Sequence, residues 1–214
     1  MKTLSKTAMF LCFIFIIFLS YIFFTNYTSN EKITLSCEQG DFTFNKSAIP
    51  EIDKYLKNSE NPQLEIENME LYYITKIKDS KYYILSFGCG MKLSDSLLIK
   101  QNNNINPTLL SKASIYQGFK SSPNLKHIAF LFGRNEGNKV IRNDLVIIDS
   151  SNLQNNKINN FKSFNWPINE FEWISNETIE ITIPALNKFS FNNIKKWNFN
   201  NQKDTKKIKL KVFN

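Results

Sequence analysis

The residues of this 214-residue chain that could do chemistry are few. His127 is the only histidine, and Cys37 and Cys89 are the two cysteines outside the apolar amino-terminal run. A thiolate at Cys89 could act as a nucleophile if His127 took its proton. A catalytic thiol also needs a third group that orients the base, and the sequence offers none. We therefore interpret His127 as a hydrogen-bonded structural residue.

A second group of candidates is a set of carboxylates near the end of the chain: Glu170, Glu172, Glu177 and Glu180. Two carboxylates on facing strands can hydrolyse a glycosidic bond, one as acid and one as base or nucleophile. Glu172, however, lies between Phe171 and Trp173, and this alternation is typical of the solvent face of an amphipathic strand. No catalytic residue is assigned, and an envelope hydrolase acting on carbohydrate or another polymer remains the alternative function.

The sequence contains no motif for a cofactor or a metal. Neither G-x-x-x-x-G-K-S/T nor G-x-G-x-x-G occurs, and a chain with 6 glycines has little room for a phosphate loop. Asp144, Asp149 and Glu136 match no calcium loop, and one histidine provides too few ligands for zinc. We expect neither a metal nor a cofactor.

An uncharged apolar run decides how the rest of the chain is interpreted. As a helix, residues 8–27 would span about 30 Å, the thickness of the hydrocarbon core of a bilayer. Lys2 and Lys6 favour a cytoplasmic amino terminus, and no A-x-A-like cleavage site follows the run. We predict a single-pass protein of the inner (cytoplasmic) membrane, anchored in the bilayer by residues 8–27. A cleaved signal peptide is the alternative.

This topology has consequences for the other segments. Residues 1–7 would stay in the cytoplasm, and residues 31–214 would form one domain in the periplasm or outside the cell. An even pair of cysteines in an oxidising compartment indicates a disulfide, here Cys37–Cys89. Closing a loop of that length would stabilise the fold by about 4 kcal/mol in the chain-entropy model.

Residues from Ile33 onward are organised as short strands. Apolar residues alternate with polar ones, and clusters of Asn, Asp, Ser and Gly separate the runs. Leu71–Ile77 and Lys81–Phe87 are predicted as two strands joined by a tight turn. Ser47–Lys57 is the one predicted helix, with Pro50 in its first turn. The chain is therefore predicted to be mainly β, with antiparallel sheets and one short helix after the membrane segment.

Aromatic residues are the candidates for binding, because exposed aromatic side chains often anchor protein interfaces. Those we would test are Tyr72, Tyr73, Tyr82, Tyr83, Trp166, Trp173 and Trp197.

The positive charge of the chain is concentrated near its end. Residues 188–214 contain eight lysines against Asp204, and the basic patch consists of Lys206, Lys207, Lys209 and Lys211. Ile208, Leu210 and Val212 alternate with these lysines, which predicts a strand with one buried face. Acidic lipid or envelope polymer could bind the exposed lysines. Nucleic acid is not expected as a partner of an exported domain.

One stretch resembles a known repeat. Residues 121–150, with Ser-Ser-Pro-Asn-Leu-Lys-His-Ile-Ala-Phe, a turn and a strand ending in Asp149, resemble one blade of the TolB-type β-propeller repeat. A fainter echo occupies residues 171–181. The resemblance implies an antiparallel blade and a protein-binding scaffold. An incomplete propeller and a sandwich are both compatible with the length.

These features predict a binding protein. We expect a membrane-tethered module outside the cytoplasm that binds another protein, and an immunity protein that blocks a delivered toxin would suit the size and the export. An electrostatic binder of acidic lipid or polymer is a further alternative.

Overall fold

A computed structural model describes residues 14–19, 31–90, 93–136, 139–158, 165–188, 190–200 and 204–213. The protein is mainly β, and the described sheets are antiparallel. The chain divides into two compact units, residues 1–67 and 68–214. The predicted boundaries at 1–7, 8–27 and 31–214 concern membrane topology and stay a prediction.

Most of the predicted membrane segment, residues 8–27, lies outside the described residues. Within it, residues 14–19 are helical, and their side chains are exposed. Among the parts of the chain that the structure describes, no helix has both the length and the apolar character needed to cross a bilayer.

The first unit contains a β-hairpin. Strands β1 (Lys32–Cys37) and β2 (Gly40–Asn45) pair antiparallel through a turn that ends at Gly40. Gly40 has a φ of 104°, a conformation that is strained for any residue with a Cβ atom. The apolar residues of the hairpin lie on one face and are buried: Ile33, Leu35, Phe42 and Phe44.

The helices of the first unit follow directly. A 3₁₀ turn (Lys46–Ala48) leads into α1 (Pro50–Lys57), which is followed by α2 (Pro62–Glu67). The predicted helix is confirmed, with Pro50 in the first turn, although it begins after Ser47 and no side chain caps it. The buried stripe is Ile49, Ile52 and Leu56. Helix α2 was not predicted from the sequence.

The second unit is built on a six-stranded antiparallel meander in which each strand pairs with the next along the chain. Its strands are β3 (Glu70–Ile77), β4 (Ser80–Phe87), β5 (Ser94–Gln101), β6 (Ile105–Ser121), β7 (His127–Glu136) and β8 (Lys139–Asp149). The predicted pair of strands joined by a tight turn is confirmed by β3 and β4.

Strand β6 joins the two halves of this sheet. Its first part pairs with β5 and its second part with β7, with register shifts in both pairings. Ala113 has a φ of 46°, and its backbone N–H donates to the Asp95 carboxylate over 2.9 Å. Gly118 supplies a second positive φ of 138°. Irregularities of this kind bend a strand, so the two parts of β6 can run in different directions and pair with the two halves of the sheet.

The bend encloses an apolar core on one face of the sheet. Its main members are Tyr82, Ile84 and Leu98 from the first half and Ile128, Phe130, Phe132, Val146 and Ile148 from the second. These strands are separated by β6 within the sheet, so their contact requires the sheet to curve. Tyr82 Oη also donates to the Ser150 carbonyl over 2.7 Å, and Lys100 Nζ to the Ser151 carbonyl over 2.7 Å.

The opposite face of β7 and β8 packs against a second sheet. This four-stranded sheet has the order β10 (Glu170–Ser175), β11 (Thr178–Pro184), β12 (Thr205–Phe213) and β9 (Lys157–Ile158). Ala129, Leu131, Leu145 and Ile147 contact apolar residues of that sheet, including Trp173, Ile179, Ile181 and Leu210. The arrangement is two packed sheets, and each buried large aliphatic residue stabilises it by about 1.5–3 kcal/mol.

The predicted alternation in β12 is observed. Leu210 and Val212 are buried, whereas the neighbouring lysines are exposed. The strand lies between β11 and β9 and is not an edge. Helix α3 (Phe191–Phe199), which the sequence did not indicate, precedes it and buries Ile194 and Trp197.

The segment that resembles a propeller blade forms the end of β6, a turn, and strands β7 and β8. These strands belong to a sheet of six described strands, whereas a propeller blade has four. The fainter copy at residues 171–181 falls on β10 and β11, in the other sheet.

His127 lies in the core of this unit and is 2% exposed. Its ring stacks on Trp173, with centroids 5.8 Å apart and an interplanar angle of 17°. Asn156 Nδ2 donates to His127 Nδ1 over 2.8 Å, and the backbone N–H of His127 donates to Ser122 Oγ. Because an amide NH₂ can only donate, Nδ1 accepts, and the ring is neutral with its proton on Nε2.

This environment predicts a pH-dependent stability. Burial and the charge of Lys126 lower the pKa of His127 below its ordinary 6.5, against the opposing effect of Asp149 and Glu177. The folded state therefore binds this proton less readily than the unfolded chain. The contribution of His127 to the free energy of unfolding is therefore complete above pH 6.5, the ordinary pKa of the group. It is lost as the pH falls from there toward the lower pKa of the folded state. Urea unfolding between about pH 7.5 and 5 should show this decline.

The control is His127→Asn, which keeps an acceptor for Asn156 and removes the titration. Its unfolding free energy should vary less over the same pH range. An identical pH dependence in the two proteins would contradict the assignment.

Candidate functional site

A groove of the second unit runs over strands β10, β11 and β12, and has a volume of about 490 Å³. It is lined by Gln117, Lys120, Leu131, Asn169, Glu170, Phe171, Glu172, Glu180, Thr182 and Lys207. Three of the four glutamates singled out in the sequence thus lie in one concavity. Glu177 is in the turn between β10 and β11 and does not line it.

The register of the strands explains why these side chains meet. Glu172 is directly opposite Glu180, and Glu170 is opposite Thr182. Cross-strand partners point to the same face of a sheet, so these three glutamates form one acidic group. The intervening residue Phe171 faces the core between the two sheets.

Lys207 neutralises part of this acidic group. Its Nζ lies 2.7 Å from Glu180 Oε1, and it is opposite Thr182 on the neighbouring strand. The hydrogen bond from Lys207, together with the positive charges of Lys207 and Lys209, lowers the pKa of Glu180 below its ordinary value. Glu180 is therefore held in its ionised form.

Glu180 lacks the raised pKa that a general acid in glycoside hydrolysis requires. A general-acid carboxyl group needs a raised pKa, which buried apolar surroundings usually provide. The pKa of Glu180 is shifted in the opposite direction.

Gln117 and Lys120 are among the groove residues that reasoning from the sequence did not find. Gln117 and Lys120 come from β6, whose sequence has no clear alternation. Lys120 lies beside β10 because its carbonyl accepts a hydrogen bond from Trp173 Nε1 over 2.9 Å. No local pattern in the sequence could reveal a contact between segments so far apart.

Two of the four lysines of the basic patch are bonded to other parts of the fold. All four of its side chains are exposed: Lys206, Lys207, Lys209 and Lys211. Lys206 Nζ donates to the Leu186 carbonyl over 3.1 Å, and Lys207 pairs with Glu180. The carboxylate of Glu180 thus neutralises the charge of Lys207, whereas Lys206 keeps its charge.

The aromatic residues proposed as interface anchors differ in exposure. Four are buried in the core: Tyr82, Tyr83, Trp173 and Trp197. Tyr73 and Trp166 are partly buried, and Tyr72 is 38% exposed. Burial gives the first four a packing role, and contact of any of the seven with a partner stays a prediction.

Both cysteines of the predicted disulfide are thiols in the structure. Cys37 Sγ donates to the Gly40 carbonyl over 3.3 Å, within the hairpin of the first unit. Cys89 follows β4 in the second unit. The Cys37–Cys89 bridge stays a prediction.

Acidic, thiol and imidazole side chains do not come together as a metal site in the described parts of the chain. No group of three such residues there could hold an ion. The expectation that the protein lacks a metal remains untested.

The pairing of Glu180 with Lys207 can be tested directly. Replacing Lys207 by Met removes the donor, so the pKa of Glu180 should rise toward its ordinary 4.5. Carboxyl ¹³C NMR titration of the full chain would measure the change. Lys211→Met is the matched control, because Lys211 is on the same strand but opposite Thr178. Equal shifts in both variants would contradict the assignment.

Comparisons with protein-family models, curated proteins and solved structures find no match for this chain.

Proposed function

We propose that this protein is a membrane-tethered binding module outside the cytoplasm, and that its groove over β10–β12 holds a segment of another protein. The observation that carries the proposal is the acidic group of Glu170, Glu172 and Glu180 in one concavity. A periplasmic immunity protein that blocks a delivered toxin is the most specific form of this proposal.

The position of the groove supports recognition of an extended segment. Strand β10 is at the edge of the described four-stranded sheet, and six residues of strand extend about 20 Å. A partner strand laid along such an edge gains backbone hydrogen bonds, and the neighbouring side chains select its sequence. Glu170 and Glu172 are exposed there and would favour lysine or arginine in the partner.

The electrostatics favour binding over hydrolysis. Glu172 and Glu180 are opposite each other, which is the one feature that a carboxylate-pair hydrolase would share. Lys207 keeps Glu180 ionised, so Glu180 has no proton to give to a leaving group. We therefore place the hydrolase second.

The binding proposal predicts a charge-dependent affinity. The products of genes adjacent to the coding sequence would be purified and titrated against the full chain by calorimetry. Reversing the charge with Glu170→Lys and Glu172→Lys together should weaken the complex at least about tenfold, because opposed charges would become like charges. The remaining affinity should depend less on salt.

Glu177→Lys is the matched control, since Glu177 is exposed in the same hairpin but lies outside the groove. Its affinity should equal that of the unaltered chain. If the partner is a toxin, the control should protect growing cells and the double variant should not. Equal affinities of the two variants would refute the groove as the binding site.

The tether is tested separately. The full chain should stay with the membrane during extraction at alkaline pH, because residues 8–27 would be integrated in the bilayer. A chain lacking residues 2–27 should be released. Release of the full chain would exclude the anchor, without bearing on the groove.

A further inference from the structure

Helix α3 presents a stripe of exposed side chains. Ile194 and Trp197 are buried and attach the helix to the rest of the unit. Phe191, Lys195 and Phe199 follow one another at intervals of four residues, so they lie along one side of the helix. All three are exposed. We call Phe191, Lys195 and Phe199 the outer stripe.

The two aromatic rings of the outer stripe are open to solvent. Phe191 is 46% exposed and Phe199 is 61% exposed, which is the largest value for a large apolar side chain among the described residues from 31 onward. Single exposed apolar residues are common on protein surfaces, whereas two of them on one side of a short helix form a patch. Both rings are therefore accessible to an external surface.

The helix is held in place at both ends. At its amino end, Ser190 Oγ accepts a hydrogen bond from the backbone N–H of Asn193 over 3.2 Å. Near its carboxyl end, Trp197 Nε1 donates to the Asp204 carbonyl over 2.9 Å. The outer stripe is thus presented in a fixed orientation on the surface of the unit.

The helix and the residues that flank it are basic. Residues 188–203 contain four lysines and no acidic residue. Lys195 and Lys196 are exposed on the helix itself, and Lys188 is exposed before it. The first acidic residue after the helix is Asp204. A partner of the outer stripe is therefore expected to be anionic.

Aromatic rings and lysines on one side of a helix fit a lipid surface better than a protein. The cores of protein interfaces are rich in aromatic residues but depleted in lysine, and Lys195 lies between the two rings of the outer stripe. At a bilayer surface, aromatic rings enter the boundary between headgroups and acyl chains, while lysine side chains extend to the headgroups. Both residue types are thus accommodated.

We propose that helix α3 lies on the surface of an anionic lipid bilayer, with Phe191 and Phe199 inserted among the headgroups. Lys195 and Lys196 attract the anionic lipids. This contact is separate from the proposed binding groove, and it rests on the proposed function only for the tether that brings the unit beside a bilayer. Two rings and two charges bind weakly by themselves, but the tether makes the contact intramolecular and raises its effective concentration.

The test uses the full chain with lipid nanodiscs, made either of phosphatidylcholine alone or of phosphatidylcholine mixed with phosphatidylglycerol. A lipid that carries chelated gadolinium in its headgroup broadens the ¹H–¹⁵N NMR signals of residues close to the bilayer surface. Signals of residues 191–199 should be broadened at least about threefold more in the anionic discs than in the neutral discs, and high salt should reduce the difference. Retention of the chain by neutral discs reports on the tether separately.

One pair of variants tests the rings. Phe191→Ser together with Phe199→Ser should remove most of the broadening in anionic discs, because the rings provide the insertion. Leu109→Ser together with Leu125→Ser is the matched control, since these leucines are exposed in the same unit but lie outside the helix. The control should behave as the unaltered chain. Circular dichroism would establish that each variant is folded.

A second pair tests the charges. Lys195→Glu together with Lys196→Glu should abolish the difference between the two kinds of disc, because the attraction to anionic headgroups becomes repulsion. Lys76→Glu together with Lys112→Glu makes the same change in net charge at exposed positions of β3 and β6. This control should keep the difference.

Equal broadening of residues 191–199 by the two kinds of disc would overturn the proposal, and so would equal effects of a variant and its matched control. Shifts of the same signals with protein concentration in the absence of lipid would assign the outer stripe to a second copy of the chain and would also overturn it. These outcomes do not touch the proposed binding groove, whose residues Glu170 and Glu172 are unchanged in every variant.

Discussion

The bend of β6 is the constraint on which the second unit depends. One long strand pairs with β5 along its first part and with β7 along its second, so the two halves of the meander can curve around a shared core. The Asp95 carboxylate holds the backbone of Ala113 at the bend. The register of the pairing between β5 and β6 shifts at the same place, between Ser94 and Leu97.

The strands with simple alternation could be predicted from the sequence. The pair β3 and β4 and the lysine-bearing β12 were found because their apolar residues recur at every second position. Strand β6 and helix α3 were not found. Their side chains show no simple period, since β6 changes partners along its length and α3 buries little more than Ile194 and Trp197.

The candidate site was predictable in part for the same reason. The glutamates of β10 and β11 were recognisable as one solvent face, but their pairing with Lys207 depends on the order of strands, which local patterns do not contain. The aromatic residues illustrate the converse. Tyr82 and Trp173 resemble interface anchors in sequence, yet both are buried, since their polar atoms find backbone carbonyls inside the fold.

The order of the strands in the four-stranded sheet determines when each strand can pair during folding. Strand β12 must insert between β11 and β9, although β9 precedes both β10 and β11 along the chain. During vectorial synthesis, the β10–β11 hairpin can form early but leaves Ile179 and Ile181 without their neighbouring strand. Until residues 205–213 emerge, this half-finished sheet would be a target for chaperones and for mispairing with other chains.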